Sequence, residues 1–140
     1  MSRHGHLPII SFLVITSILM PGCINQESSL ALVSISTDKD LYHSREIMHI
    51  NVTIDTSSFR ENFTIVLQGL KSQKVNRGYQ LTASTTLNLE EGRNVISFSE
   101  TLPACSSCAG LYPGEYFVNI SVFRDTKLLL TGSHVIEFDN

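Results

Sequence analysis

The chain has 140 residues, of which 42% are hydrophobic and 16% are charged, with a formal net charge of -3 and no tryptophan. This length accommodates one hydrophobic core of ordinary size, and a second core would not fit. Nucleic-acid binding requires clustered lysine and arginine residues, whereas the 10 basic residues here form no run. We therefore expect one small domain that does not bind nucleic acid.

The first element in the chain is an apolar segment at residues 7–20, preceded by a weakly basic start that contains Arg3. At about 1.5 Å per residue, this segment is shorter than the roughly 30 Å hydrocarbon core that a spanning helix must cross. Its length instead fits a secretory signal. We predict a signal peptide at residues 1–22, a polar tether at residues 23–29 and a folded domain at residues 30–140.

The signal segment ends in Met20-Pro21-Gly22-Cys23, which resembles the lipobox of prokaryotic lipoproteins. In that motif a small residue precedes a cysteine that is acylated and becomes the new N-terminus. The resemblance implies a lipid anchor on Cys23 and an outward-facing location at the cell membrane. Two alternatives stay open, an uncleaved signal anchor and an ordinary cleavage in which Cys23 has no role.

Alternation of apolar and polar residues predicts β-strands over most of the remaining chain. The first strand is expected around Ala31, Val33 and Ile35, and the clearest one lies at residues 47–55. No window has apolar residues at helical spacing over three turns. Further strands are predicted at residues 63–67, 79–89, 95–102, 116–122 and 128–138. About seven short strands between turn signals indicate an all-β, two-sheet sandwich.

Two segments resemble immunoglobulin-like modules of the macroglobulin and cell-surface kind. Residues 37–42, Thr-Asp-Lys-Asp-Leu-Tyr, with Glu46 and the strand after it, are similar to the pattern tDKxxYxxGExVxIxV, with Ser44-Arg45 where Pro-Gly is usual. Residues 112–120 are similar to the pattern PGxYxVxV, with which a late strand begins. The resemblance implies an immunoglobulin-like sandwich of a prokaryotic surface lipoprotein, and it confers no activity.

Cys105 and Cys108 lie in a long connection between two predicted strands. If Cys23 carries the lipid, an even number of cysteines remains, as is usual for a protein in an oxidising compartment. We predict a short-range disulfide between them. Two alternatives stay open: a redox dithiol, which needs a helix N-terminus to lower the thiol pKa, and a zinc site, which needs two further ligands. We expect no metal and no other cofactor.

Three asparagines, Asn51, Asn62 and Asn119, match the N-x-S/T pattern of glycan acceptors. Asn51 and Asn119 have the outward parity of their predicted strands, which favours glycosylation of an archaeal-type surface protein. The alternative is that they are ordinary polar residues on a solvated sheet face.

The sequence contains no arrangement of residues that predicts catalysis. Glu90 and Glu91 are adjacent in a predicted turn, so their carboxylates point apart and cannot act as a paired acid and base. His43, His49 and His134 are scattered, and we interpret them as surface or turn residues. We therefore predict a non-enzymatic, lipid-anchored module that binds a surface protein or glycan or contributes to the envelope. The alternatives are an accessory or inhibitory subunit of an exported enzyme or transporter, and a thiol-handling or metal-handling protein that uses Cys105 and Cys108.

Overall fold

A computed structural model describes residues 29–140, and every regular element within that range is a β-strand. The signal segment, the tether up to residue 28 and Cys23 lie outside the described residues. The strands are β1 (Leu30–Thr37), β2 (Leu41–His43), β3 (Ile47–Thr56), β4 (Arg60–Lys71), β5 (Tyr79–Leu89), β6 (Gly92–Thr101), β7 (Gly114–Arg124) and β8 (Lys127–Asp139).

The eight strands form two sheets that pack face to face. One sheet has three strands in the order β1-β3-β6, and the other has five in the order β2-β8-β7-β4-β5. Neighbouring strands are antiparallel except β2, which runs parallel to β8 along the edge of the larger sheet. The predicted all-β, two-sheet architecture is confirmed. The structure has one strand more than the seven expected, because the three-residue β2 is too short to show alternation.

The core lies between the sheets and follows the alternation of the sequence. On β3, Met48, Ile50, Val52 and Ile54 are fully buried, whereas His49 and Asn51 between them are exposed. The facing sheet contributes buried side chains from β4 and β7, which are Phe63, Ile65, Leu67, Val118, Ile120 and Val122. Period-two burial therefore fixes which face of each strand is available for binding.

The first strand forms as β1 where it is predicted, around Ala31, Val33 and Ile35, but its alternation is interrupted. A β-bulge between Leu32 and Ser34 shifts the register of β1 with β3. Leu32 and Ile35 pack against the core, and the Val33 side chain is 47% exposed. A bulge adds one unpaired residue, so the residues on either side of it exchange parity.

The tDKxxYxxGE-like segment forms a compact polar cluster that joins β1, β2 and β3. The buried Tyr42 hydroxyl donates a hydrogen bond to Asp38 Oδ1, which also accepts one from the His49 backbone N–H at 2.9 Å. Lys39 Nζ lies 2.8 Å from Glu46 Oε2 and 5.1 Å from the centroid of the Tyr42 ring. The residues of this motif therefore stabilise the fold.

The turn before β3 keeps a glycine-like backbone without a glycine. Arg45 has a φ of 65°, a left-handed conformation that glycine adopts with least strain. The turn still closes, because the Glu46 backbone N–H donates to the carbonyl of His43 at 3.2 Å. Arg45 therefore takes the backbone conformation expected of the glycine in the related pattern.

Candidate ligand-binding face

Two connections pack against each other at one end of the sandwich. Residues 72–78 join β4 to β5, and residues 102–113 join β6 to β7. The Ser72 hydroxyl donates to the carbonyl of Ala109 at 2.7 Å, and the Gln73 backbone N–H donates to the carbonyl of Gly110 at 2.9 Å. Ser72 is 6% exposed, so these bonds are shielded from water. These hydrogen bonds fix the backbones of the two connections relative to each other.

The second half of the long connection is held by Tyr116. Its hydroxyl donates to the carbonyl of Tyr112 at 2.9 Å and accepts from the Tyr112 backbone N–H at 2.9 Å. The Tyr116 ring also meets the Phe138 ring edge to face, with centroids 6.0 Å apart. The PGxYxVxV-like segment therefore fixes the loop where β7 begins.

Cys105 and Cys108 lie in the long connection, and both are free thiols in the structure. Cys105 is half-buried, and its backbone N–H donates to the Ser44 hydroxyl at 2.7 Å, whereas Cys108 is exposed. The predicted disulfide is not formed in the structure, and the pairing stays a prediction. Burial, with a smaller contribution from the charge of Asp139, raises the pKa of the Cys105 thiol. A reactive dithiol needs the opposite shift.

The three predicted glycan acceptors lie at different places on the surface. Asn51 is exposed on the outer face of the three-stranded sheet, where its Oδ1 accepts from the Ser97 hydroxyl at 2.7 Å. Asn62 is exposed near the start of β4 with a φ of 58°. Asn119 is half-buried on the outer face of the five-stranded sheet. The outward parity expected of Asn51 and Asn119 matches these positions, and glycan attachment stays a prediction.

The three histidines of the domain do not converge. His43 and His49 are exposed, and His134 Nε2 lies 3.0 Å from the Thr37 hydroxyl. Within residues 29–140, no group of three or more His, Cys, Asp or Glu side chains could hold a metal ion. The same part of the chain contains no helix that is long and apolar enough to cross a membrane.

The outer face of the five-stranded sheet carries two rows of uncharged side chains, all of them polar except Val66. Strand register places Thr82, Gln68, Asn119 and Ser133 side by side across β5, β4, β7 and β8. Within this row the Ser133 hydroxyl donates to Asn119 Oδ1 at 2.6 Å. The adjacent row consists of Ser84, Val66, Ser121 and Thr131. We name these two rows the platform. Its hydroxyl and amide groups can both donate and accept hydrogen bonds.

A groove of about 380 Å³ lies between the platform and the connection at residues 72–78. Phe117 is 60% exposed on one side of it, and the half-buried Tyr79 lies on another. No ion pair within the described residues involves Lys71 or Glu115, which also line the groove. The remaining lining residues are Gln73, Tyr116, Asn119 and Ser133. The groove therefore combines aromatic rings, amide groups and the two charged side chains that form no ion pair among the described residues. This composition is typical of small-ligand sites.

The alternation of β7 predicts that Phe117 and Asn119 face outward. The orientation of these two lining residues could therefore be predicted from the sequence. Sequence reasoning did not identify the groove itself, because its lining residues come from several strands and one connection that lie far apart in the chain. The register of β4 with β7 pairs residues about 50 positions apart, and local alternation contains no information about that pairing.

Comparisons with known proteins identify the fold. No family model matches the chain, and no curated protein matches its sequence. Among solved structures, the CARDB domain of the PF1109 protein from Pyrococcus furiosus superposes with a TM-score of 0.55 at 12% identity, covering 80% of this chain and 95% of that one. The CARDB domain is an immunoglobulin-like sandwich, so the predicted fold class is confirmed.

Other solved structures share this fold over a small part of their length. A cycloisomaltooligosaccharide glucanotransferase from Paenibacillus sp. has a TM-score of 0.59 at 21% identity, covering 80% of this chain and 14% of that one. The alkylpurine DNA glycosylase AlkC from Pseudomonas fluorescens has a TM-score of 0.58 at 13% identity, covering 79% and 30%. Such low identities show the fold alone.

Proposed function

We propose that this chain is a non-catalytic binding module, held at the outward surface of a membrane by a lipid on Cys23, and that it binds a glycan. The observation that carries the proposal is the exposed ring of Phe117 beside the groove and the platform. A sugar ring has apolar C–H faces and a rim of hydroxyl groups. It therefore fits a site that offers an aromatic surface next to hydrogen-bonding side chains.

The polar side chains of the groove suit neutral or weakly charged hydroxyl-rich ligands. Gln73 and Asn119 carry amides that donate and accept hydrogen bonds, and Lys71 and Glu115 supply one charge of each sign. Asn119 is oriented by the bond from Ser133 at 2.6 Å. Because Phe117 and Asn119 lie on β7 within a sheet, their backbone positions are more precisely fixed than those of loop residues.

The acidic residues near the groove favour binding over hydrolysis. Glu115 and Glu137 lie directly opposite each other on β7 and β8, and both are exposed. Glu137 is not among the residues that line the groove, so a ligand bound there would not lie between the two carboxylates. A carboxylate pair that cleaves a glycosidic bond must flank that bond.

Affinity electrophoresis of the detergent-solubilised chain through gels containing soluble dextran, laminarin or hydroxyethylcellulose tests the glycan. We expect retardation by at least one polysaccharide. Phe117→Ala should weaken it about tenfold or more, because loss of one aromatic contact costs on the order of 1.4 kcal/mol.

Phe59→Ala is the matched control for that experiment. Phe59 is 50% exposed between β3 and β4 and does not line the groove, so its replacement should leave retardation unchanged. No retardation by any of the three polysaccharides, or equal losses for Phe59→Ala and Phe117→Ala, would contradict the proposed glycan site.

Replacing Cys23 with serine tests the membrane anchor. We expect the wild-type protein to partition into detergent and the Cys23→Ser protein to appear in the soluble fraction, since stable attachment requires acyl chains. Fractionation and the intact mass of each protein are the measurements. A Cys23→Ser protein that stays membrane-bound at its uncleaved mass would show that residues 7–20 act as an anchor instead.

A further inference from the structure

The edge strand β5 lacks the features that normally prevent strands from pairing with another chain. It is the last strand of the larger sheet, with β4 as its only neighbour there. Its 11 residues, Tyr79–Leu89, include no charged residue and no proline, and its register with β4 is regular from Phe63 to Lys71. Natural sheets protect such an edge with charges, prolines, bulges or short strands.

The other sheet edges of the described domain have those protections. The edge strand β2 has only three residues, and β1 contains the bulge between Leu32 and Ser34. The part of β8 that β2 does not reach lies against β1, where Gly132 contacts Leu32 and His134 contacts Thr37. The remaining edge strand, β6, carries Arg93 and Glu100. β5 therefore lacks all of these protections, and along it alternate backbone N–H and C=O groups point away from β4.

Around Ser84, the sequence of β5 matches its own reverse at every position from Leu81 to Leu87 except Ala83 and Thr85. Residues 81–87 read Leu-Thr-Ala-Ser-Thr-Thr-Leu. An antiparallel copy paired about an axis at Ser84 would place Leu81 opposite Leu87 and Thr82 opposite Thr86. Leucine would then meet leucine and threonine would meet threonine, Ala83 would lie opposite Thr85, and no equal charges would face each other at the axis.

The inner face of β5 is also incompletely covered. Ala83, Thr85 and Leu87 face the core but are only half-buried, in contrast to the fully buried row on β4. A second β5 at this edge would extend the sheet and cover part of that row. Burial of apolar area would then add to the backbone hydrogen bonds.

We propose that two copies of this chain pair through antiparallel β5 strands, centred on Ser84, to form one continuous ten-stranded sheet. The two platforms would then lie on the same side of that sheet. The lipid anchors that we propose on Cys23 would hold both copies on one membrane, which raises their effective concentration. The pairing itself does not depend on the glycan proposal.

Oxidative cross-linking of a cysteine at the axis tests the pairing. In Ser84→Cys, antiparallel pairing brings the two Cα atoms to about 4.5–5.5 Å, within the range that a disulfide spans. We expect the full-length variant, oxidised in membranes with copper phenanthroline, to run as a dimer on a non-reducing gel. The wild-type chain under the same oxidation gives the background from its native cysteines.

Thr86→Cys is the matched control on the same strand and face. In the proposed register Thr86 lies opposite Thr82 of the second copy, so the Cα atoms of two cysteines at position 86 would be about 14 Å apart. We expect no cross-link above background for this variant, and restored cross-linking for the double variant Thr82→Cys, Thr86→Cys. Equal cross-linking of the two single variants would overturn the proposed register.

A charge at the axis gives a second, independent measurement. Ser84 is exposed, so Ser84→Lys should fold, but it would place two ammonium groups opposite each other. Light scattering in mild detergent should give twice the monomer mass for the wild type and about tenfold weaker dimerisation for Ser84→Lys. Thr131→Lys, at an exposed position in the same row on β8, should remain dimeric. A monomeric wild type, or a partner other than a second copy at β5, would overturn the proposal.

Discussion

Replacing Gly110 with alanine is expected to lower the free energy of unfolding by about 2–4 kcal/mol. Gly110 has a φ of 70°, and an alanine in that conformation costs about 1–2 kcal/mol. A Cβ at this position would also lie 2.3 Å from the Ser72 hydroxyl oxygen and 3.1 Å from the Lys74 backbone nitrogen. Relief of that overlap breaks the bond from Ser72 to the Ala109 carbonyl, worth about another 1–2 kcal/mol.

The measurement is thermal unfolding followed by circular dichroism, in which the melting temperature should fall by roughly 10 °C for a domain of this size. Gly78→Ala is the matched control, because no atom lies within 4 Å of a Cβ built there and its φ is not left-handed. We expect that variant to melt within a few degrees of the wild type. An unchanged melting temperature for Gly110→Ala would show that the two connections do not depend on their mutual contact.

The Gly110 variant also connects the packed loops to binding. Gln73 lines the groove, and its backbone N–H donates to the Gly110 carbonyl. Displacement of that carbonyl should move Gln73 relative to Phe117, so polysaccharide retardation should weaken even at temperatures where the domain stays folded. The loop contact is therefore a positioning element for the groove.

The class of fold could be predicted from the sequence because burial in a sandwich is periodic. Met48, Ile50 and Val52 alternate with polar residues along the chain, and that local signal needs no knowledge of partner strands. The same reasoning gave the outward parity of Asn51 and Asn119, which the structure matches. Alternation is thus sufficient to assign faces along a regular strand such as β3.

The features missed from the sequence depend on contacts between distant residues. The bulge in β1 lies opposite Gly132 on β8, where a Cβ would come within 2.3 Å of Leu32 Cδ2. The missing side chain on β8 leaves the space that Leu32 fills, and no local pattern in β1 indicates it. The groove likewise combines β4, β5, β7 and β8, whose order in the sheet differs from their order in the chain.

The tDKxxYxxGE-like motif was recognised as a marker of fold class, and the structure gives the physical reason. Tyr42 is fully buried, and its hydroxyl has a charged partner in Asp38. Burial, together with this hydrogen bond, raises the pKa of Tyr42 to about 12. The bond from Tyr42 is the largest cause that lowers the pKa of the Asp38 carboxyl below its ordinary value of 3.8. The two residues therefore stabilise the fold through linked protonation states.

Tyr42→Phe is expected to lower the free energy of unfolding by about 1.5–3 kcal/mol at neutral pH, the range for a hydrogen bond to a charged group. Because the variant keeps the buried aromatic ring, the loss of unfolding free energy measures the contribution of the hydroxyl group. Chemical denaturation at pH 7 is the measurement, and Tyr112→Phe is the control. Tyr112 is 41% exposed, and its contacts with Tyr116 use backbone atoms, so that variant should be unchanged.

The pH dependence of the difference between wild type and Tyr42→Phe distinguishes this bond from simple loss of packing. Because the folded pKa of Asp38 is lowered, its contribution is present above the ordinary value of 3.8 and is lost as the pH falls further. The folded pKa of Tyr42 is raised, so its contribution is present below the ordinary value of 10.0 and is lost as the pH rises towards about 12. The difference should be largest between about pH 5 and 9 and should shrink at both ends. A difference that is constant from pH 3 to pH 11 would assign the loss to packing alone.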